Sequence, residues 1–452
     1  MKKVIYCLTF IFTTICISLN AQQVSAGRSH SLFLKKDSTV YGAGANESGQ
    51  LGNGTIVDTS NLVQVSSLDG ITSISAGQAY SLFLKEDGTV YAAGANYYGQ
   101  LGDQTEVNKT TPVQISSLTG IDAISAGGEH SLFLKDDATV WAVGNNNNGQ
   151  LGIGNLLDTT NIVKINSLAN IVGISAGTFH SLFIKSNGTV WGAGDNLTGQ
   201  LGDGTTDDKY TPVQISSLSD IKAVSAGLNH SLFLKDDSTV WSVGANTNGQ
   251  LGDGTTVLKT TPVQISSLSG IVSISAGNHH STFLKADGTV WTVGSNDDGQ
   301  LGDGTTDNRL IPIEISALTG VTYIVSAEGV TLASTADGKF YGIGKNDNGG
   351  LGNGTKDRAL GPVESVEVVS TRPVPSNSIA LYPNPVENEL VISVSDYNNS
   401  RVEVYSLTGQ LLESVSLQNE KSTIDVSDFP KGSYVVLVKS DENTSVSQFI
   451  KK

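Results

Sequence analysis

The chain has 452 residues, 51 of them Gly, with 38% hydrophobic and only 15% charged residues and a formal net charge of -16. An acidic chain with no basic stripe repels phosphate backbones and anionic lipid, which removes nucleic acid from the expected partners. Abundant Val, Ile, Thr, Ser, Asn and Gly favour strands and turns over helices.

The first segment, "MKKVIYCLTFIFTTICISLNAQ", is two lysines followed by an apolar run, the pattern of a secretory signal peptide over residues 1–21 cut after Ala21. A transmembrane anchor is the alternative. The run is short for a span, however, and no other segment of the chain could cross a membrane. Both cysteines, Cys7 and Cys16, lie inside this segment, and "TTIC" lacks the small residue expected before a lipid-modified cysteine. The mature chain then carries no disulfide and must be stabilised by packed sheet. Loss of Lys2 and Lys3 moves its net charge from -16 to -18.

From residue 22 to residue 369 the sequence repeats every fifty residues, seven times. Each unit starts with a short apolar strand ending in Ser-Ala-Gly, as in "SISAG" (73–77) or "AVSAG" (223–227). A second strand, "HSLFLK", leads into a tight turn such as "EDG" or "DDS", and a third strand reads "TVWAVG" or "TVYAAG". "N-x-x-G-Q-L-G" and a last strand like "TPVQIS" complete the unit. Short apolar runs punctuated by Gly, Asp and Asn are strand and hairpin signals, and Asp-Gly between strands two and three suits a primed turn with positive φ. Four strands in each of seven units predict an all-β, seven-bladed β-propeller whose closure hides strand edges. An open solenoid is the alternative, but no unit has the polar character of a capping repeat.

The unit "SAGxxHSLFLKxDGTVWAxGxNxxGQLG" resembles the regulator of chromosome condensation repeat, whose family forms seven-bladed propellers. The seventh unit departs from the pattern: "IVSAEGVTLAS" shifts Ser-Ala by one place, Val330 replaces the histidine, and Gly350 replaces the glutamine. That departure falls where the ring has to close.

Residues 370–378, "STRPVPSNS", read as a linker. Residues 379–452 alternate apolar residues with Gly, Asp and Asn turns, which predicts a small β-sandwich. Its "YPNP", "VYSLTGQ", "PKGSYVV" and basic end look like the type A C-terminal sorting domain of the type IX secretion pathway of Bacteroidota. An ordinary accessory sandwich is the alternative. The resemblance implies handling by the secretion machinery and a secreted or outer-surface location.

Several repeated features invite a chemical reading. "SVGANTNGQLGDGT" (242–255) looks like a phosphate cradle, yet a phosphate loop opens a helix and occurs once, whereas this one recurs in every unit. His30, His130, His180, His230 and His280 share one repeat position with Tyr80 and Val330. Symmetry would hold them around a wide ring rather than within one coordination sphere, so a tie to neighbouring backbone explains them better. Trp141, Trp191, Trp241 and Trp291 share a position with Tyr41, Tyr91 and Tyr341, which suits packing between sheets. Asp203 with Asp207, and Asp303 with Asp307, are calcium candidates, although the pattern lacks the ligand count of a calcium loop. No unique nucleophile with its base and no close acid pair stands out, so no catalytic residue and no cofactor is expected.

Positions that differ between units are free of the fold and open to recruitment. They fall before each histidine, after the repeated Asn, and after "LGxGT". In an up-and-down blade the first-to-second and third-to-fourth connections share a face, so all three sets gather on one rim. Tyr97, Tyr98, Phe179, Leu197, Tyr210, Thr247, Asn248 and His279 are the candidate binding residues there, aromatics being favoured anchors. The expectation is a secreted or surface-displayed, monomeric, non-enzymatic propeller that binds a protein or glycan. A glycan-active enzyme or lectin with its site in the central cleft, and a structural adhesion component, are the alternatives. Nucleotide exchange on an intracellular GTPase does not fit an exported chain.

Overall fold

The computed structural model describes residues 22–66, 68–366, 379–394, 400–406, 410–417, 419, 421–439 and 444–452, so the signal segment 1–21 and the linker 370–378 lie outside the described residues. Contacts divide the chain into two units, Met1–Glu367 and Val368–Lys452.

The first unit is seven four-stranded antiparallel sheets, one per repeat, each with its strands in chain order. The first sheet runs Gln23–Ala26, His30–Leu34, Val40–Gly44 and Thr59–Gln64, and the seventh runs Val321–Ser326, Val330–Thr335, Phe340–Gly344 and Ala359–Glu364. The first strand of each sheet touches that of the next, and Val321–Ser326 touches Gln23–Ala26, so the ring closes as a propeller and not as an open solenoid. The first strands line a central channel of about 720 Å³. Closure joins two complete blades instead of sharing strands between the chain's two ends.

The second strand is buried along its length because both of its faces meet a neighbouring blade. Phe133 packs with Leu82 and Leu84 of the blade before it, while Leu132 and Leu134 pack with Phe183 of the blade after it. Each such side chain contributes about 1.5–3 kcal/mol of burial, so the hydrophobic cores lie at the seams between blades. Trp141 and Trp191 join these seams from the third strand, and the Lys185 ammonium sits 4.0 Å over the Trp191 ring.

The turn between strands two and three differs from the primed type expected from Asp-Gly. Only the residue after the Asp has positive φ, namely Ser38 (66°), Gly88 (77°), Ala138 (60°) and their counterparts. Ser38 N donates to Lys35 O at 3.0 Å and Lys35 N to Thr39 O at 2.9 Å. This is a three-residue loop, a type I turn closed by one left-handed residue. The Asp side chain does the remaining work: Asp37 Oδ1 accepts from Thr39 N at 3.0 Å. Ala138 carries a Cβ in the left-handed region, which costs about 1 kcal/mol. Ala138→Gly is therefore expected to raise stability by about 1 kcal/mol in denaturant unfolding; no gain would mean the strain is absent.

The second unit pairs a three-stranded sheet (Ile379–Tyr382, Glu389–Val394, Lys421–Asp425) with a four-stranded one (Leu411–Ser416, Arg401–Ser406, Gly432–Lys439, Thr444–Lys451, in that order). Leu390, Ile392 and Ile424 from one sheet share a core with Val402, Val404, Val436 and Phe449 from the other, which makes a β-sandwich. The segment after "YPNP" is tied to the basic end, since Val386 N donates to Ile450 O at 2.8 Å and Lys452 N to Val386 O at 2.9 Å.

Candidate binding face

The repeated residues form latches between blades. Ser25 Oγ accepts from Ala76 N at 2.9 Å, and the same bond recurs at five further junctions, up to Ser275 with Ser326 N at 2.8 Å. His30 Nε2 lies 3.0 Å from Ser81 Oγ, and that hydroxyl donates to Gln50 O at 2.7 Å. With its proton committed, Ser81 must accept, so His30 carries its hydrogen on Nε2. The expected tie to neighbouring backbone is thus a tie to a hydroxyl of the next blade. Tyr80 reaches backbone directly, its hydroxyl donating to His130 O at 2.5 Å. Desolvation pulls the imidazoles down from 6.5, to about 4 for His30 and about 3 for His130, His180, His230 and His280, so all are neutral at physiological pH.

The glycine of Ser-Ala-Gly makes room for this latch. A Cβ on Gly277 would lie 2.7 Å from Ala327 O and 2.7 Å from His280 Cε1. The seventh blade changes the whole set at once. Val325 stands at the serine position, Ala327 at the glycine position, Val330 at the histidine position and Gly350 at the glutamine position. Without the ring, the alanine methyl is tolerated. An ion pair between Arg28 and Glu328 (3.0 Å) and an edge-to-face contact between Phe33 and Phe340 (5.3 Å) replace the polar latch at this seam.

The glycine-rich loop is also blade-to-blade structure. Asn246 Oδ1 accepts from Leu251 N at 3.0 Å, and its Nδ2 donates to Asp253 Oδ1 at 3.0 Å and Thr255 O at 3.0 Å. Gly254 N donates to Leu310 O on the following blade at 3.0 Å. Gly249 has φ 79°, and a Cβ there would meet Leu310 Cδ2 at 2.5 Å. With its amides turned to protein partners, the loop is no phosphate cradle.

The two variable connections are stapled together on one face. Ala245 N donates to Asn229 O at 2.8 Å, Asp195 N to Phe179 O at 3.0 Å and Ser295 N to His279 O at 2.8 Å. The uniform turns meet on the opposite face, where Glu86 N donates to Gly70 O at 3.1 Å. Within each pair after the repeated Asn only the first residue points out. Tyr97 is 63% exposed and Leu197 69% exposed, and Thr247 is likewise exposed. Tyr98 and Asn248 are half-buried, and the Gln100 and Gln250 side chains hold their backbone amides, each at 3.0 Å. Phe179, His279 and Tyr210 are exposed, with Tyr210 lying over Gly149 of the preceding blade. The eight candidates therefore share a face but spread over blades two, four, five and six, with no single cluster.

The calcium candidates are already engaged. Asp203 Oδ2 pairs with Lys209 at 3.2 Å and Asp303 Oδ2 with Arg309 at 2.5 Å, while Asp207 and Asp307 stand exposed. Among the described residues no group of three or more His, Cys, Asp or Glu is placed to hold a metal ion.

Two features escaped the sequence. The stretch after "LGxGT" exposes apolar side chains on the outer rim, including Ile56, Val57, Val107, Leu157 and Val257. Their signal was apolar residues in the most variable stretch. The second is a carboxyl pair: Asp195 stands where other blades have Ala, Ser, Asn or Lys, and burial and then Asp208 push its carboxyl above the usual range.

The RCC1-like domain model matches residues 12–220 and 165–384, and the secretion system C-terminal sorting domain matches residues 380–452. No curated protein matches. Among solved structures, that of Kap60 bound to yeast RCC1 (Prp20) is 21% identical, covering 80% of this chain and 87% of its own with TM-score 0.68. Human WBSCR16 is 22% identical, covering 76% and 94% with TM-score 0.65. Prp20p from Saccharomyces cerevisiae, studied for its binding to Gsp1p and histones, is 22% identical, covering 80% and 89% with TM-score 0.67. Likeness at this identity shows the fold. The sorting domain marks the chain for type IX export to the cell surface or the medium, and no helix among the described residues is long and apolar enough to cross a membrane. Seven four-stranded repeats and a family match over most of their length mean that the chain belongs to the RCC1-like domain family.

Proposed function

We propose that the exported propeller binds a protein or glycan through its variable loop face and does so without catalysis. The observation that carries this reading is the outward turn of one residue per variable pair, Tyr97 and Leu197 above all, from a backbone otherwise locked by repeated bonds. Exposed aromatic and apolar side chains on a rigid frame lose little entropy on binding and make good anchors. Tyr210, Phe179, Thr247 and His279 extend the surface, while Tyr98 and Asn248 support their exposed neighbours. The buried histidines and serines are committed to blade junctions. Export places the ligand outside the cytoplasm, so an intracellular GTPase is not the partner proposed.

The test is affinity capture with the mature chain against cell-surface and host extracts, repeated with a Tyr97→Ala/Leu197→Ala variant. Loss of the captured species at an unchanged melting temperature is expected; undiminished capture would remove these residues from the site.

A further inference from the structure

The central channel is not symmetric, although the repeats are. One register position of the first strand borders it in six of the seven blades, paired in turn with Leu34, Leu84, Leu134 and their counterparts. At that position Ser273, Tyr323, Gln23 and Ser73 follow one another around the ring across blades six, seven, one and two. Facing them are Ala123 and Ala223. One arc of the wall is thus polar with a single aromatic ring, and the other is small and apolar.

Three observations mark the polar arc as a ligand site. Tyr323 packs against the core at the junction of blades seven and one, yet stays half-exposed on the channel wall. Burial keeps its phenol above the usual range, so it is a neutral O–H donor. Beside it, Gln23 is 1% exposed and uses its Nε2 on Thr72 O at 3.1 Å, while its Oε1 has no partner among the described residues. A buried amide oxygen left without a donor is costly unless something supplies one. Finally, Ser25 and its counterparts up to Ser275 face the channel with hydroxyls that accept from the next blade and can still donate.

The charges on the lining are few: Arg28 and Glu328 pair with each other, and Asp122 stands exposed. A strongly anionic ligand has no cation to meet it. The inner strands are hydrogen-bonded on one side only, so their free edges add backbone donors and acceptors. A ligand matching this wall is neutral, rich in hydroxyls around its rim and apolar on one flat face. That describes a sugar ring.

We propose that the channel is a second, independent binding site, which takes a short neutral oligosaccharide with one sugar stacked on Tyr323 and its hydroxyls bonded to Gln23, Ser73 and the serine ring. The channel's roughly 720 Å³ lies within the range of about 300–1,000 Å³ typical of small-ligand sites. This goes beyond the loop-face reading and does not depend on it.

The experiment is calorimetric titration of the mature chain with a panel of neutral hexose and N-acetylhexosamine oligosaccharides, with an extended uncharged peptide as a separate arm. Tyr323→Ser installs the residue that blades two and six already carry at this position, so folding should be retained. Binding of at least one oligosaccharide is expected, weakened about ten-fold or more by Tyr323→Ser in a chain still folded at the assay temperature by circular dichroism. The Tyr97→Ala/Leu197→Ala variant should bind the same sugar as the parent does, which separates the two sites. Absence of sugar binding across the panel, sugar binding indifferent to Tyr323→Ser, or binding of the peptide alone would each overturn the proposal.

Discussion

Lowering the pH from 7 toward 4 is expected to unfold the propeller cooperatively, with a midpoint near pH 5. His30, His130, His180, His230 and His280 have folded-state values of about 3 to 4 against 6.5 for the free side chain. The sign follows from which state holds more protons. The unfolded chain binds a proton at each imidazole from about pH 6.5 downward, whereas the folded chain binds none until about pH 4. The stabilisation is therefore complete above pH 6.5 and is lost as pH falls through the window between the two values. Each group loses about 1.4 kcal/mol per pH unit in that window, so five acting together lose about 7. At pH 5 the cumulative loss is about 10 kcal/mol, comparable with the whole stability of an ordinary domain. Tryptophan fluorescence and circular dichroism against pH would show the transition, and urea unfolding between pH 7 and pH 5.5 would count the protons taken up. A propeller still folded at pH 4, or an uptake near one proton, would mean that the imidazoles are not buried and neutral as the latches require.

Much of this is legible in the sequence alone. The period, the hairpin punctuation and the repeated histidine already indicated seven blades and a structural ring of imidazoles. The partner of each imidazole was not legible, because Ser81 is separated from His30 by a whole repeat and meets it only through ring geometry. Sequence spacing specifies neighbours within a blade, while contacts between blades depend on closure. The same limit hid the role of Gly249, whose constraint comes from Leu310 of the next blade. At the loop face, comparing the copies located the variable pairs but could not say which member of each faces outward. In blades one to six the repeated glutamine accompanies that choice, Gln250 holding the backbone amide of Asn248 while Thr247 turns out, and blade seven keeps the same pattern at Asp347 and Asn348 with Gly350 in the glutamine's place. A turn shared by every blade thus decides which variable residue can be read. The polar arc of the channel was hidden for another reason: Gln23, Ser73 and Tyr323 come from three repeats and become neighbours only when the seventh blade meets the first.

The seventh blade supplies a natural double substitution, and copying it elsewhere should show how tightly the latch is coupled. Gly277→Ala alone puts a methyl 2.7 Å from both Ala327 O and His280 Cε1, closer than a Cβ packs against backbone. With the carbonyl fixed by the ring and the imidazole held 3.0 Å from Thr331 Oγ1, the expected cost is about 3 kcal/mol. His280→Val alone removes a buried hydrogen bond and most of a ring, for about 2 kcal/mol. Thr331 survives that loss because its hydroxyl still donates to Gln300 O at 2.8 Å. Together the two changes reproduce Ala327 and Val330, and the methyl fills part of the space the ring has left. The double variant should then be destabilised by at least about 1 kcal/mol less than the sum of the singles, and it should take up one proton fewer on acid unfolding. A double-mutant cycle from urea unfolding measures the first quantity and its pH dependence the second. Additive losses would mean that the glycine answers only to the neighbouring carbonyl. In that case the changes in blade seven would be separate accidents, and not one substitution spread over two residues.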